Sequence, residues 1–288
     1  MKNILVTGGN GQLGQSLQKI ANAWPQFNLI FTDYQELDIT NADALTAYFS
    51  EHEIDACINC AAYTAVDKAE EEEDKAFQLN FQGVLFLAEI CAQRNAQLLH
   101  ISTDYVFSGK QNVPYTEEND TDPQSIYGAS KVRGEAAAMG YNPNTIVLRT
   151  SWLYSEYAVN FVKRMRELMQ EKPELNVVFD QTGTPTYAGD LAQTILEILQ
   201  YRTSNPDAAI GGIYHYSNEG VTSWYDFAIA IKEMTGAAIP VYPITSDKFK
   251  TAAKRPAYSV LNKEKIKNTF GITVPYWRDS LAMCLKNM

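Results

Sequence analysis

The chain has 288 residues, of which 45% are apolar and 20% charged, enough to bury the core of one large domain or two unequal ones. Its formal net charge of −10 argues against nucleic acid and anionic membranes as partners, but not against an anionic small molecule held by local positive groups. No apolar run approaches the roughly eighteen residues of a membrane span. A strand-like run begins at Asn3 with nothing like a signal-cleavage site behind it, so a cytoplasmic location is expected.

The first half alternates short apolar runs with helical patterns. "KNILVTG" (2–8) comes first and ends at glycine, followed by a helix over 12–23. Then come "NLIFTD" (28–33), a helix over 41–51, "DACINCAA" (55–62) and a helix over 74–95. "AQLLHISTDYVF" (96–107), a helix starting near Pro123 and "TIVLRTSWLY" (145–154) complete the series. Repeated β-α-β units with continuously apolar strands imply a parallel sheet covered on both faces, with right-handed crossovers. Thr40 is placed to cap the helix at 41, and Asp122-Pro123 to open the later one. Gly140 is expected to stop that helix.

The second half is less regular. Helices are expected over 157–171, 189–202, 224–235 and 277–286, with short strands near 175–179, 212–216 and 239–243. The expected fold is α/β: a Rossmann-type doubly wound parallel sheet over 1–150, then a smaller mixed α/β lobe over 151–288. Segments near 184–205 are expected to return to the first sheet. The acidic run Glu70 to Asp74 reads as a solvated helix start. Cys57 and Cys60 have CxxC spacing, but residues three apart on a strand face opposite ways. With Cys91 and Cys284 they read as buried thiols, and no metal site is expected.

"TGGNGQLG" places Gly8, Gly11 and Gly14 three residues apart, directly after the first strand and before a helix. A pyrophosphate needs close backbone approach, free N–H donors and a helix N-terminus, and this context supplies all three. Asp33 ends the second strand, nineteen residues after Gly14. A carboxylate there accepts from an adenosine ribose and repels a 2′-phosphate, which favours NADH over NADPH. Asp38 in "LDIT" is a second acid within reach of the adenine.

"YGASK" puts Tyr127 and Lys131 on one helix face. Reducing a ketone with hydride makes an alkoxide that needs a proton. A neighbouring cation lowers a tyrosine pKa, so Lys131 is expected to tune Tyr127 and to reach the nicotinamide ribose. Gly128, Ala129 and Ser130 are expected to leave room for a bulky cofactor. Thr103, in "ISTDYVFSG", lies at the C-terminal end of a central strand, where open α/β sheets place ligands. Its hydroxyl is expected to hold the substrate oxygen against Tyr127.

With these residues in place, the chain resembles the extended short-chain dehydrogenases/reductases, and among them the dTDP-4-dehydrorhamnose reductase family. The resemblance rests on "ILVTGGNGQLG", "ELDITN", "INCAAYTAVDKAE", "LNFQGVLFLA", "HISTDYVFSG", "YGASKVRGE", "LRTSWLYS", "QTGTPTYAGDLA" and "RPAYSVL", which span the chain. It implies reduction of the C4 ketone of dTDP-4-dehydro-L-rhamnose to dTDP-L-rhamnose with NADPH or NADH. It implies that Asn10, Gly11, Gln12 and Leu13 touch the pyrophosphate. Asp38 and Ile39 match an adenine-binding pair, and Ala61, Ala62, Tyr63 and Thr64 a stretch along the dinucleotide. Thr103, Tyr127 and Lys131 match a catalytic triad. Asp104, Tyr105 and Trp152 match contacts to the deoxysugar, and Arg255 falls where a basic residue meets the diphosphate.

Some relatives bridge a dimer with Mg²⁺ through an acid just after the glycine loop. Gln15 and Ser16 stand there in this chain, so a monomer or an unbridged homodimer is expected. Two alternatives stay open. One is another NAD(P)-dependent nucleotide-sugar epimerase, reductase or dehydratase; against a dehydratase, Asp104-Tyr105 follows Thr103 in place of an Asp-Glu pair. The other is a non-catalytic regulatory subunit like that of methionine adenosyltransferase, which shares the glycine loop and the Tyr-Lys pair.

Overall fold

Six parallel strands form the central sheet of the computed structural model, which describes residues 1–288. The first half runs β1 (Lys2–Thr7), α1 (Gln12–Ile20), β2 (Phe27–Phe31), α2 (Ala42–Glu51), β3 (Ala56–Asn59), α3 (Val66–Ala69), α4 (Glu73–Phe77), α5 (Gly83–Gln93), β4 (Gln97–Thr103), α6 (Ile126–Tyr141) and β5 (Ile146–Thr150). The second half runs β6 (Leu153–Tyr154), α7 (Phe161–Glu171), β7 (Leu175–Val178), β8 (Thr182–Gly183), β9 (Thr186–Tyr187), α8 (Ala188–Ser204), β10 (Gly212–His215), β11 (Thr222–Ser223), α9 (Trp224–Thr235), β12 (Val241–Ile244), α10 (Glu264–Phe270) and α11 (Trp277–Lys286).

The sheet order is β10-β5-β4-β3-β1-β2. The chain leaves β1 to one side for β2 and returns to its other side for β3. Thr7 and Asn59, the last residues of β1 and β3, pair in register at this reversal. Open α/β sheets bind ligands beyond the strand ends at such a point.

Strand residues alternate between two helical layers. Ile4 and Val6 join Leu13 and Leu17 of α1 and Leu191, Ile195 and Leu199 of α8 in one core. Leu5 and Cys57 join Leu45, Leu87, Cys91 and Ala138 in the other. A third core gathers Val162, Met165, Phe227, Ile231, Trp277 and Leu281, from α7, α9 and α11. Thus α8 and β10 of the second half build the first-half sheet, while α7, α9 and α11 pack among themselves.

Several boundaries differ from expectation. Asn41, not Thr40, caps α2 by accepting from Ala44 N at 3.0 Å; the Thr40 hydroxyl is spent on Asp38 at 2.7 Å. Ser125, not Asp122, caps α6, accepting from Gly128 N at 3.1 Å. Gly140 lies inside α6, which ends where Asn142 turns extended (φ −133°). The helix expected over 74–95 is broken by a π turn at Gln78–Gln82. The helix expected from 157 starts at Phe161, because Asn160 caps it. α10 was not foreseen; its one buried residue, Ile266, leaves no periodic stripe. No helix is long and apolar enough to cross a membrane.

Candidate active site

A cavity of about 510 Å³ opens beyond the C-terminal ends of β1, β3 and β4, and Gly8, Gly11, Thr103, Tyr127, Lys131 and Trp152 all line it. Gly8 has φ +67°, and a Cβ there would lie 2.7 Å from Ala61 N. A Cβ on Gly14 would sit 2.5 Å from the Gly8 and Gly9 carbonyl oxygens, so only glycine lets α1 settle onto the loop. Gly11 occupies the N-cap position of α1 in extended backbone, with no side chain over the first-turn N–H groups. That bare cradle fits a pyrophosphate. Leu13 and Gly14 are buried behind it. Asn10 is exposed. Gln12 points its amide across to the second lobe, accepting from Ser155 Oγ at 3.0 Å.

Asp33 braces the same loop, accepting from Asn10 N and Tyr34 N, each at 2.8 Å. Asp38 closes a turn on Thr40 N at 2.8 Å. Ile39 turns its side chain into the core, against Gly83, so Asp38 and the backbone form the outer face there. Ala62 and Thr64 line the cavity. Tyr63 sends its hydroxyl to Glu72 at 2.5 Å, and Ala61 N donates to Asn59 Oδ1 at 3.2 Å.

Sequence reasoning missed Asn80. It is fully buried in the π turn and holds both backbone polar groups of Tyr63, at 2.8 and 3.0 Å. It also donates to Ser130 Oγ on α6 at 3.0 Å, tying the segment after β3 to the helix of Tyr127. A lone asparagine inside the apolar stretch "LNFQGVLFLA" was the available signal.

The small residues of "YGASK" have a role other than the one expected. A Cβ on Gly128 would collide with the Tyr105 carbonyl and, beyond this stretch on the same helix, one on Gly134 with that of Asn80. Ser130 is buried and donates back to Tyr127 O at 2.8 Å. They bring α6 close to its neighbours rather than leaving room for a ligand.

Tyr127 stands half-buried on the cavity wall, its ring edge-on to Tyr105 at 5.5 Å. Burial pushes its phenol up to about 12; the Thr103 hydroxyl opposes this and the Asp104 carboxylate adds to it. Lys131 is 1% exposed, donates to Ile101 O at 2.6 Å and is brought down to about 8 by burial. The expectation that Lys131 lowers the Tyr127 pKa is therefore not met. Burial outweighs any such pull, and the amine is engaged by β4. The result is a phenol that stays protonated at neutral pH, as a proton donor must.

Thr103 ends β4 with its hydroxyl donating to Asp104 Oδ1 at 3.0 Å and accepting from Tyr105 N at 3.2 Å. Asp104 is 2% exposed, and its Oδ2 has no protein partner. Burial raises its carboxyl from 3.8 to about 6, against the Ser259 and Thr103 hydroxyls. A raised carboxyl pKa means that the folded state binds the proton more readily. The cost is absent below about pH 4 and grows as pH rises through 6, to about 3 kcal/mol. Asp104→Asn should remove it. Unfolding free energies at pH 4 and pH 7 are expected to show the variant gaining on the parent at pH 7 only; equal stabilities at both would mean the charge is fully compensated.

Trp152 adopts φ +48°, a left-handed conformation rare for a bulky residue. Its ring stacks on Trp224 at 3.7 Å and 11°, and a Cβ on Gly183 would lie 2.7 Å from it. Trp224, which the sequence did not single out, shares the cavity wall. Arg255 lies outside that lining and forms a two-point ion pair with Asp67 of α3, at 3.1 and 2.6 Å. Beneath the site, Glu135 of α6 accepts from Arg149 Nη2 at 2.7 Å and Ser102 Oγ at 2.5 Å.

The RmlD substrate binding domain family matches residues 1–288. A dTDP-4-dehydrorhamnose reductase of Aggregatibacter actinomycetemcomitans is 41% identical, over 98% of this chain and 97% of its own. The crystal structure of a dTDP-4-dehydrorhamnose reductase from Bacillus anthracis in complex with NADP has a TM-score of 0.94 at 36% identity, covering 100% of both chains. A dTDP-glucose 4,6-dehydratase from Streptomyces venezuelae, with NAD and TYD bound, has a TM-score of 0.82 at 20% identity over 99% of this chain and 96% of that one, a likeness of fold alone.

Proposed function

The chain belongs to the RmlD substrate binding domain family of dTDP-4-dehydrorhamnose reductases, and from that premise we propose that it reduces the C4 ketone of dTDP-4-dehydro-L-rhamnose to dTDP-L-rhamnose. The observation that carries this reading is the meeting of the glycine cradle with Thr103, Tyr127 and Lys131 around one cavity. NAD(P)H, held on Gly8 to Gly14 with Asp33, Asp38 and Ala61 to Tyr63 alongside, supplies the hydride when bound.

The chain's own residues handle the rest. When the ketone binds, Thr103 turns its one O–H from Asp104 Oδ1 to the ketone oxygen and fixes its position against Tyr127. Tyr127, protonated at neutral pH, gives its proton to the oxygen as it becomes an alkoxide. A charged Lys131 offsets the phenolate left behind. The unpartnered Oδ2 of Asp104 accepts from a sugar hydroxyl, and Tyr105 and the Trp152 ring supply the apolar wall. Arg255, paired with Asp67 outside the cavity lining, would have to leave that pair to meet the diphosphate. The sheet, with α8 and β10, serves the cofactor; the α7–α9–α11 lobe serves the substrate. We expect a cytoplasmic monomer or homodimer.

Incubation with the dTDP-4-keto sugar and either NADPH or NADH is expected to consume one cofactor per sugar. Oxidation of neither would overturn the reading and favour a binding role. Asp33→Ala is expected to move the kcat/KM ratio towards NADPH, because the carboxylate repels a 2′-phosphate. An unchanged ratio would show that Asp33 only braces the loop.

A further inference from the structure

Behind Lys131 a line of buried polar groups crosses three strands. Thr7, Asn59, His100 and Lys131 are each 1% exposed or less. Thr7 Oγ1 donates to Asn59 Oδ1 at 2.7 Å, and Ala61 N donates to the same oxygen at 3.2 Å. Asn59 Nδ2 lies 3.0 Å from His100 Nδ1. His100 Nε2 lies 3.3 Å from Lys131 Nζ, which donates to Ile101 O at 2.6 Å. The chemistry described above uses neither Asn59 nor His100.

The direction of this line is fixed at one end. A backbone N–H can only donate, so the Asn59 atom that faces Ala61 is the oxygen. Asn59 therefore turns its NH₂ to His100, and His100 Nδ1 must accept. Burial and the nearby Lys131 push His100 well below its ordinary pKa, so its ring is neutral. A neutral imidazole that accepts at Nδ1 carries its proton on Nε2. That N–H then faces Lys131. An ammonium has three donors and no acceptor, so a charged Lys131 meets it donor to donor. An uncharged amine offers a lone pair and completes the line.

We propose that His100 is a positioning residue: the Thr7–Asn59–His100 line aims an N–H at Lys131 and biases its amine towards the uncharged form. The proposal rests on the reading of Lys131 as the partner of Tyr127. The other groups facing Lys131 are Cys60, beyond β3, and Glu135, one turn on along α6, and both favour the charged amine. Glu135 is itself taken up by Arg149 and Ser102. Tyr127 lies one turn back on the same helix. Burial acts in the same sense as His100, so the charge on Lys131 is lost as pH rises through about 8. Turnover that needs this charge has an alkaline limb there.

Two measurements test this. The first is ¹⁵N NMR of the histidines in the unmodified protein, which has three. His100 is expected as the neutral Nε2–H tautomer. His215 is the internal contrast, because its Nδ1 faces the Tyr115 carbonyl at 3.1 Å and must donate. An Nδ1–H or doubly protonated His100 overturns the proposal, and this readout needs neither substrate nor turnover. The second is Asn59→Asp, which keeps the shape and reverses the line. A carboxylate only accepts, so His100 would turn Nδ1–H towards it and a lone pair towards Lys131. The alkaline limb of kcat is expected to rise by about one pH unit or more. The new carboxylate alone also raises the limb, so the rise is compared with that of Asn59→Asp in a His100→Leu background; an equal rise, or an unmoved limb in a variant that still binds NADPH, overturns the proposal. If the variant does not fold, the tautomer decides alone.

Discussion

Tyr127→Phe is expected to lower kcat by about 10²- to 10⁴-fold, the usual worth of a positioned general acid, with NADPH affinity and thermal stability nearly unchanged. The separation follows from the structure. The ring contributes packing, edge-on to Tyr105 at 5.5 Å, and phenylalanine keeps that. Only the hydroxyl is lost. Its neighbour Thr103 retains partners in Asp104 Oδ1 at 3.0 Å and Tyr105 N at 3.2 Å, so no buried group is orphaned. Steady-state kinetics with a parallel cofactor titration checks this. A variant that turns over at the parent rate would remove Tyr127 as proton donor.

Arg149→Met is expected to cost about 3–5 kcal/mol of stability, the largest structural effect of any single change considered. Arg149 and Glu135 are 3% and 4% exposed, and removing the guanidinium leaves a buried carboxylate with Ser102 as its one remaining hydrogen bond. Arg149→Met combined with Glu135→Leu should recover most of the loss, because the uncompensated charge is then gone and apolar atoms fill the space. Urea unfolding of the three proteins measures both numbers. If the double variant were as unstable as the single one, packing rather than charge would be the cause. The pair pins α6 to β5, so the single variant should also loosen the placement of Tyr127 and Lys131.

The parts of the fold legible in the sequence were those with a local signature. The apolar runs at β1 to β5 were plain because a doubly covered parallel strand has no solvated face to interrupt it. Gly8, Gly11 and Gly14 were plain because three glycines between a strand and a helix meet a single steric demand. Helix caps were less so. Thr40 and Asn41 are adjacent and both competent, and only the Asp38 turn decides between them. Residues that act across long separations were hidden. Asn80 reaches Tyr63 and Ser130, Trp224 stacks on Trp152, and Arg255 pairs with Asp67, 188 positions away. The pKa expectation for Tyr127 failed for a related reason. Sequence spacing brings Lys131 onto the same helix face, but not the depth of burial that pushes the phenol the other way.

The most direct measurement supplies the chain with dTDP-4-dehydro-L-rhamnose and NADPH carrying deuterium at both C4 positions of the nicotinamide. Deuterium at C4 of the sugar in dTDP-L-rhamnose, one atom per cofactor oxidised, is the predicted result. A product without the label, or turnover of the sugar with no net oxidation of cofactor, would contradict the account.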